Sequence, residues 1–246
     1  MPHRIPFRLR AREVSRLEAF SDVIFGFSIS LLVVSLEAPK TYHELMEMLH
    51  GFLPFTICFA LFMMIWWEHH RFFKRYALQD ATTIALNIGL MFVILFYVYP
   101  LKYMFTLVTG GGERHSIPPG GYRVLFSVYG LGFTAVFWLL AALYRHGYRQ
   151  RAALGLNEVE VVDTQESMQN MFWMGTFGLL SAALVFSPLP WLAGPIYFLI
   201  AVPQTIVPMI FGKRRRLAEQ RMLQGDAPSA PEFPGPGSPE ETPAHG

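Results

Sequence analysis

The stretch Arg16-Leu17-Glu18-Ala19-Phe20-Ser21-Asp22 opens an apolar run that extends from Val23 to Leu36. From Leu17 to Leu36 the segment has about the 20 residues that a helix rising ~1.5 Å per residue needs to cross a hydrocarbon core of ~30 Å. Asp22 then lies a little more than one turn inside the helix. A carboxylate at that depth is costly unless it reaches water or a partner, so it marks either a lock between helices or part of an ion path.

The rest of the chain agrees with a membrane protein. Hydrophobic residues make up 52% and charged residues 15%, and the mean hydropathy is +0.32; a soluble domain carries more charge. Apolar runs at roughly 17–38, 48–69, 81–107, 122–144, 168–187 and 190–212 predict an all-α integral membrane protein with six transmembrane helices. The first fifteen residues are basic and lack both an apolar stretch and a small-residue cleavage site, so no signal peptide is expected. Three regions follow: a basic N-terminus (1–16), a six-helix domain (17–212), and a tail (213–246) that is basic and then rich in Pro and Gly. The end of that tail has too little apolar area to fold alone.

Charge placement orients these spans. Sixteen Lys and Arg residues fall in the N-terminus, the second-to-third and fourth-to-fifth connections and the C-terminus, against four (Lys40, Lys102, Arg114 and Arg123) on the other side. The asymmetry places both termini in the cytoplasm. It also explains the net charge of +2 through topology and headgroup contacts, with no nucleic-acid partner implied. Gly110 to Gly121 has the composition of an outer loop, and the acidic stretch from Arg151 to Glu166 that of a short segment at the cytoplasmic surface.

At about 100° per residue, Phe27, Leu31 and Val34 fall in one narrow stripe of the first helix, and Asp22 points roughly 140° away from Phe27. Arg16 and Phe20 lie near the same stripe. An antiparallel second helix brings Trp66, Trp67, Glu68, His69, His70 and Arg71 to the depth of Asp22, where a bond to a histidine or arginine would satisfy the carboxylate. Adjacent helical residues diverge by about 100°, and neither His-x-x-x-His nor His-Glu-x-x-His is present, so no metal and no other cofactor is expected at Glu68-His69-His70. The single cysteine, Cys58, is packing material in the second span. Asn87 and Gln204 are expected to bond neighbouring helices, and Tyr97, Tyr99, Tyr103 and Trp191 to anchor the outer boundary. No nucleophile elbow or phosphate-cradling glycine loop accompanies the scattered Ser, His and Asp residues, so the chain is not expected to be an enzyme.

Arg16, Phe20, Ser21 and Asp22 form an Arg-x-x-x-Phe-Ser-Asp signature. With Trp66, His69, His70, Arg71 and Phe73 in a Trp-x-x-His-His-Arg-x-Phe pattern, the chain resembles the transmembrane protein 175 family of endolysosomal and prokaryotic potassium channels. The diagnostic residues lie in the first two spans. The resemblance implies a homotetramer whose four first helices surround a central pore, without the Thr-Val-Gly-Tyr-Gly filter of ordinary potassium channels. It assigns Phe27, Leu31 and Val34 to apolar pore rings, and apolar rings close a pore by dewetting. Phe27 stands where the family commonly has isoleucine, and the bulkier ring narrows such a pore.

These readings converge on a potassium-permeable cation channel in a prokaryotic inner membrane, with potassium or another monovalent cation as permeant ion and membrane lipid as surroundings. Two alternatives stay open on sequence: a proton-coupled secondary transporter using Asp22 with His69 or His70, and a non-conducting membrane scaffold of the same fold. Internal repeats that would support alternating access are not evident.

Overall fold

A computed structural model describes residues 5–11, 13–34, 41–43, 46, 49, 52–108 and 120–225. Residues 110–119, expected as an outer loop, and the tail from 226 onward lie outside this set, as does the end of the first apolar run at 35–38. Among the described residues the chain forms six long α-helices: α1 (Arg16–Val34), α2 (Phe52–Tyr76), α3 (Ala81–Val108), α4 (Gly121–Arg149), α5 (Glu158–Leu184) and α6 (Ala201–Gly225). Three segments, Ala81–Tyr103, Gly121–Arg149 and Pro195–Gly225, are long and apolar enough to cross a membrane. In α1, α2 and α5, ionisable residues are set among the apolar ones.

Two expected boundaries are corrected. Of the acidic stretch from Arg151 to Glu166, residues 151–157 form a turn at the surface, but 158–166 are the first turns of α5. Asn157 caps that helix, its side chain accepting from the Glu160 amide while the Glu160 carboxylate accepts from the Asn157 amide, a reciprocal arrangement that satisfies two otherwise unpaired donors. The run 190–212 is not one helix. Pro190 and Pro195 each start a short 3-10 turn, Pro190–Leu192 and Pro195–Ile200, because a proline has no N–H to lose at a first helical position. Only then does α6 begin. It continues past 212 to Gly225, so the basic start of the C-terminal region is helical.

Helix α1 packs against α2 and α3, while α4 and α5 form the most extensive pair and α6 lies against α5. The α4–α5 crossing depends on missing side chains: a Cβ at Gly130 would lie 2.5 Å from the Gly178 carbonyl, and one at Gly178 would lie 2.7 Å from the Gly130 carbonyl. Small residues let helices approach closely where no hydrophobic force drives association. Thr134 donates to the Gly175 carbonyl across the same contact.

One aromatic cluster sits toward the basic end of the bundle, where Phe72, Tyr76 and Tyr144 meet edge to face or tilted, and a second joins Tyr97, Tyr129, Phe133 and Tyr197 toward the other end. Tyr76 is hydrogen-bonded to Thr164 of α5. Tyr97 is buried rather than interfacial and donates to the Tyr129 carbonyl, whereas Tyr99, Tyr103 and Trp191 are exposed. Cys58 is fully buried. Gln204 is exposed on α6, on a surface the subunit itself does not cover.

The N-terminal segment closes the basic end. Amides of Arg10 and Ala11 donate to the Lys74 carbonyl, and Phe7 packs on Tyr76 beneath the Arg75 guanidinium. Arg10 reaches Glu160 at 2.8 Å and the Leu154 carbonyl at 3.0 Å. Arg215 of α6 binds Asp163 and the Ile5 carbonyl, both at 2.8 Å. The residues immediately before α1 are therefore tied to α2, α5 and α6.

Candidate functional site

Helix α1 has two unlike faces. Glu18, Ser21, Phe25, Ser28 and Leu32 recur at steps of three and four and are each at most 2% exposed. On the other side Phe20, Val23 and Phe27 are 58%, 68% and 56% exposed, flanked by exposed Arg16, Gly26 and Ser30. The serines are compatible with an apolar helix because their hydroxyls return to carbonyls four residues earlier: Ser21 to Leu17, Ser28 to Ile24 and Ser30 to Gly26.

The buried face is fixed by side chains of α2 and α3. Trp66 donates its indole N–H to Asp22 Oδ1 at 2.8 Å and stacks on His70, with centroids 5.3 Å apart. His70 Nδ1 in turn binds Glu18 Oε1 at 3.1 Å. One helix face over, Asn87 Nδ2 donates to Ser21 Oγ at 2.8 Å, and Asn87 Oδ1 lies 2.8 Å from His69 Nε2. Since the amide nitrogen serves Ser21, its oxygen must accept, which assigns the His69 proton to Nε2. The chain of donors therefore runs His69 to Asn87 to Ser21 to the Leu17 carbonyl. Phe25 and Phe73 enclose the His69 ring.

Sequence reasoning put these groups at one depth but mispaired them. Asp22 is held by Trp66, not by a histidine or arginine. Arg71 turns to Glu68 and to the Tyr144 hydroxyl. Glu18, buried and bound to His70, was missed; its position one turn before Asp22 on the same helix was the available signal. Asn87 bonds two helices as expected. Of the apolar stripe, Phe27 is exposed, Leu31 lies at its margin and packs partly on the core, and the Val34 side chain lies outside the described residues. The exposed arc is rotated toward Val23 and Ser30, which the stripe reading left out.

This arrangement joins the Arg-x-x-x-Phe-Ser-Asp segment to the Trp-x-x-His-His segment side chain by side chain, and residues 16–97, which contain both, match the family model described as endosomal/lysosomal potassium channel TMEM175. A potassium channel of Marivirga tractuosa is 36% identical over 237 residues, covering 89% of this chain and 94% of the relative. The chain belongs to the TMEM175 potassium channel family. A potassium channel of Chamaesiphon minutus is 27% identical over 77% of this chain and 92% of its own length. The crystal structure of the potassium channel MtTMEM175, a variant in complex with a nanobody fusion, is similar with a TM-score of 0.73 and 34% identity over 84% of this chain and 97% of that one. The crystal structure of a homologue of the lysosomal potassium-selective channel TMEM175, from Chamaesiphon minutus, shares the fold at a TM-score of 0.55 and 24% identity over 80% of this chain and 99% of that one. The family is one of membrane channels and not of enzymes.

Proposed function

We propose that this TMEM175 family member is a subunit of a homotetrameric, potassium-permeable channel. Each subunit contributes six spans, both termini are cytoplasmic, and four copies of α1 surround the pore. The observation that carries the reading is the asymmetry of α1. Hydrogen bonds to α2 and α3 hold one face, while Phe20, Val23 and Phe27 on the other face are each more than half exposed. Large apolar side chains left exposed on an otherwise packed helix mark an interaction surface. In a four-fold assembly Phe27 forms an apolar ring, with Leu31 and Val34 as further rings toward the outer side. Such rings withhold ligands from an ion that sheds water, and so act as gate and constriction in place of a carbonyl filter.

The hydrogen-bonded state of Asp22 and His69 supports a structural role for the signature rather than a proton relay. The test is reconstitution in liposomes with a potassium gradient, together with the mass of the detergent-solubilised particle. Four subunits and ohmic potassium flux are expected. Saturable, proton-coupled flux from a monomer would replace the channel with a transporter, and silence from an intact tetramer would leave a scaffold.

A further inference from the structure

At the basic end of the bundle a groove of about 570 Å³ runs between the outer faces of α4 and α5. Its membrane-side floor is Ala141 and Ala142, and one wall is the pair Trp138 and Phe172, whose rings lie parallel within 3° at 6.0 Å. Gly175 seats that wall, since a Cβ there would come within 2.2 Å of the Trp138 ring. At the mouth stand Arg145 and Arg149, one helical turn apart on one face. Both are exposed, and neither has an ion-pair partner among the described residues. Tyr148 beside them accepts from Gln165 at 3.1 Å, which leaves its own O–H to donate.

We infer that this groove binds one anionic phospholipid of the adjoining leaflet, its phosphate on Arg145 and Arg149 and an acyl chain along Ala141 and Ala142 against Trp138 and Phe172. Charge argues for this occupant: among the described residues no carboxylate lines the groove, so nothing is placed to receive the ammonium of a zwitterionic headgroup. Basic pockets between helices at the membrane boundary hold acidic headgroups in this way. A larger cavity at the same end, about 920 Å³ between α2, α5 and α6, is different. There Arg215 is already paired with Asp163 and Glu219, and Arg71 with Glu68. Position in the fold agrees, because the groove lies on α4 and α5, whereas the helix proposed to line the pore packs on α2 and α3.

The experiment uses the full chain, purified and delipidated in detergent, with native mass spectrometry and thermal unfolding in added phosphatidylglycerol or phosphatidylcholine of the same acyl chains. Phosphatidylglycerol should bind and raise the unfolding temperature, and phosphatidylcholine should do so much less. Arg145→Gln with Arg149→Gln should weaken the selective binding roughly 30-fold, two interfacial charges being lost. Ala142→Phe, which fills the floor and keeps both arginines, should also abolish it. Arg214→Gln with Arg216→Gln, which removes equal charge elsewhere at the same end, should leave it intact. Equal loss in that control would show bulk surface charge, and equal stabilisation by soluble glycerol phosphate would show a site for free phosphate. A change of subunit number in the Arg145/Arg149 variant would show a second copy in the groove. Any of these results, or retained selective binding in both groove variants, overturns the assignment.

Discussion

The indole N–H of Trp66 is hydrogen-bonded to the carboxylate of Asp22 at 2.8 Å, 44 positions away in sequence. This contact joins the signature of α1 to that of α2 and occupies the half-buried carboxylate of Asp22 at the margin of the exposed arc that carries Phe27. Asp22→Ala removes the acceptor and should cost about 1–3 kcal/mol by orphaning the Trp66 donor, seen as a lower unfolding temperature and lower yield of assembled protein. Asp22→Asn keeps an oxygen there and should lose less. Potassium-to-sodium selectivity of whichever variant assembles should be unchanged; a shift in a well-assembled Asp22→Asn protein would place the carboxylate on the ion path.

Asn87 serves two helices at once, so its loss should be felt twice. Asn87→Ala orphans the buried His69 N–H, at about 1–3 kcal/mol, and removes the donor to Ser21 Oγ, whose own hydroxyl stays bonded to the Leu17 carbonyl. In a double-mutant cycle with Ser21→Ala the two costs should fail to add, because they remove one shared bond. Thermal unfolding in detergent measures this, and simple additivity would mean that the bond contributes nothing.

Phe27 and Leu32 separate the two faces of α1. Phe27→Ala should raise cation flux at equal protein incorporation and reduce any preference for potassium over sodium, since a smaller apolar ring dewets less readily. Leu31→Ala, at the margin of the exposed arc, should act in the same direction more weakly. Leu32 is fully buried, and Leu32→Ala should instead cost about 2–5 kcal/mol of stability with flux unchanged. An open pore in Leu32→Ala and silence in Phe27→Ala would mean that α1 is rotated in the assembly.

Glu160 gives the basic end an acid limit. Burial opposes its ionisation, but hydrogen bonds from the Arg10 guanidinium and from the amides of Arg8 and Asn157 outweigh that cost and hold its carboxyl below the ordinary glutamate range near 4.5. A carboxyl depressed in the fold stabilises above its unfolded pKa, and this contribution is lost as pH falls through the folded pKa. Unfolding temperature should therefore drop on acidification below about pH 4.5. Glu160→Gln should flatten that part of the profile and cost about 3–5 kcal/mol at neutral pH, because Arg10 loses its buried partner. An unchanged acid limb in the variant would assign the effect to other carboxylates.

Composition and local pattern decided the class of this protein. Hydropathy summed over a helix length marked the long apolar helices, the placement of basic residues marked one end of the bundle, and the two signatures identified the family, because each is a property of residues close together in sequence. Burial of Cys58 and the joining role of Asn87 were legible for the same reason: a polar or apolar exception in a span has few available fates. Pairing was not legible. Asp22 with Trp66, His70 with Glu18, and Arg10 with Glu160 across 150 positions depend on how far each helix is rotated and slid, and a shift of one residue turns a side chain by about 100°. The same sensitivity turned the exposed arc of α1 toward Val23 and Ser30, leaving Leu31 at its margin, and let the chain before α1 fold back onto α5 and α6. Sequence thus determined which residues stand at a similar level along the helix bundle, and tertiary packing alone decided which of them meet.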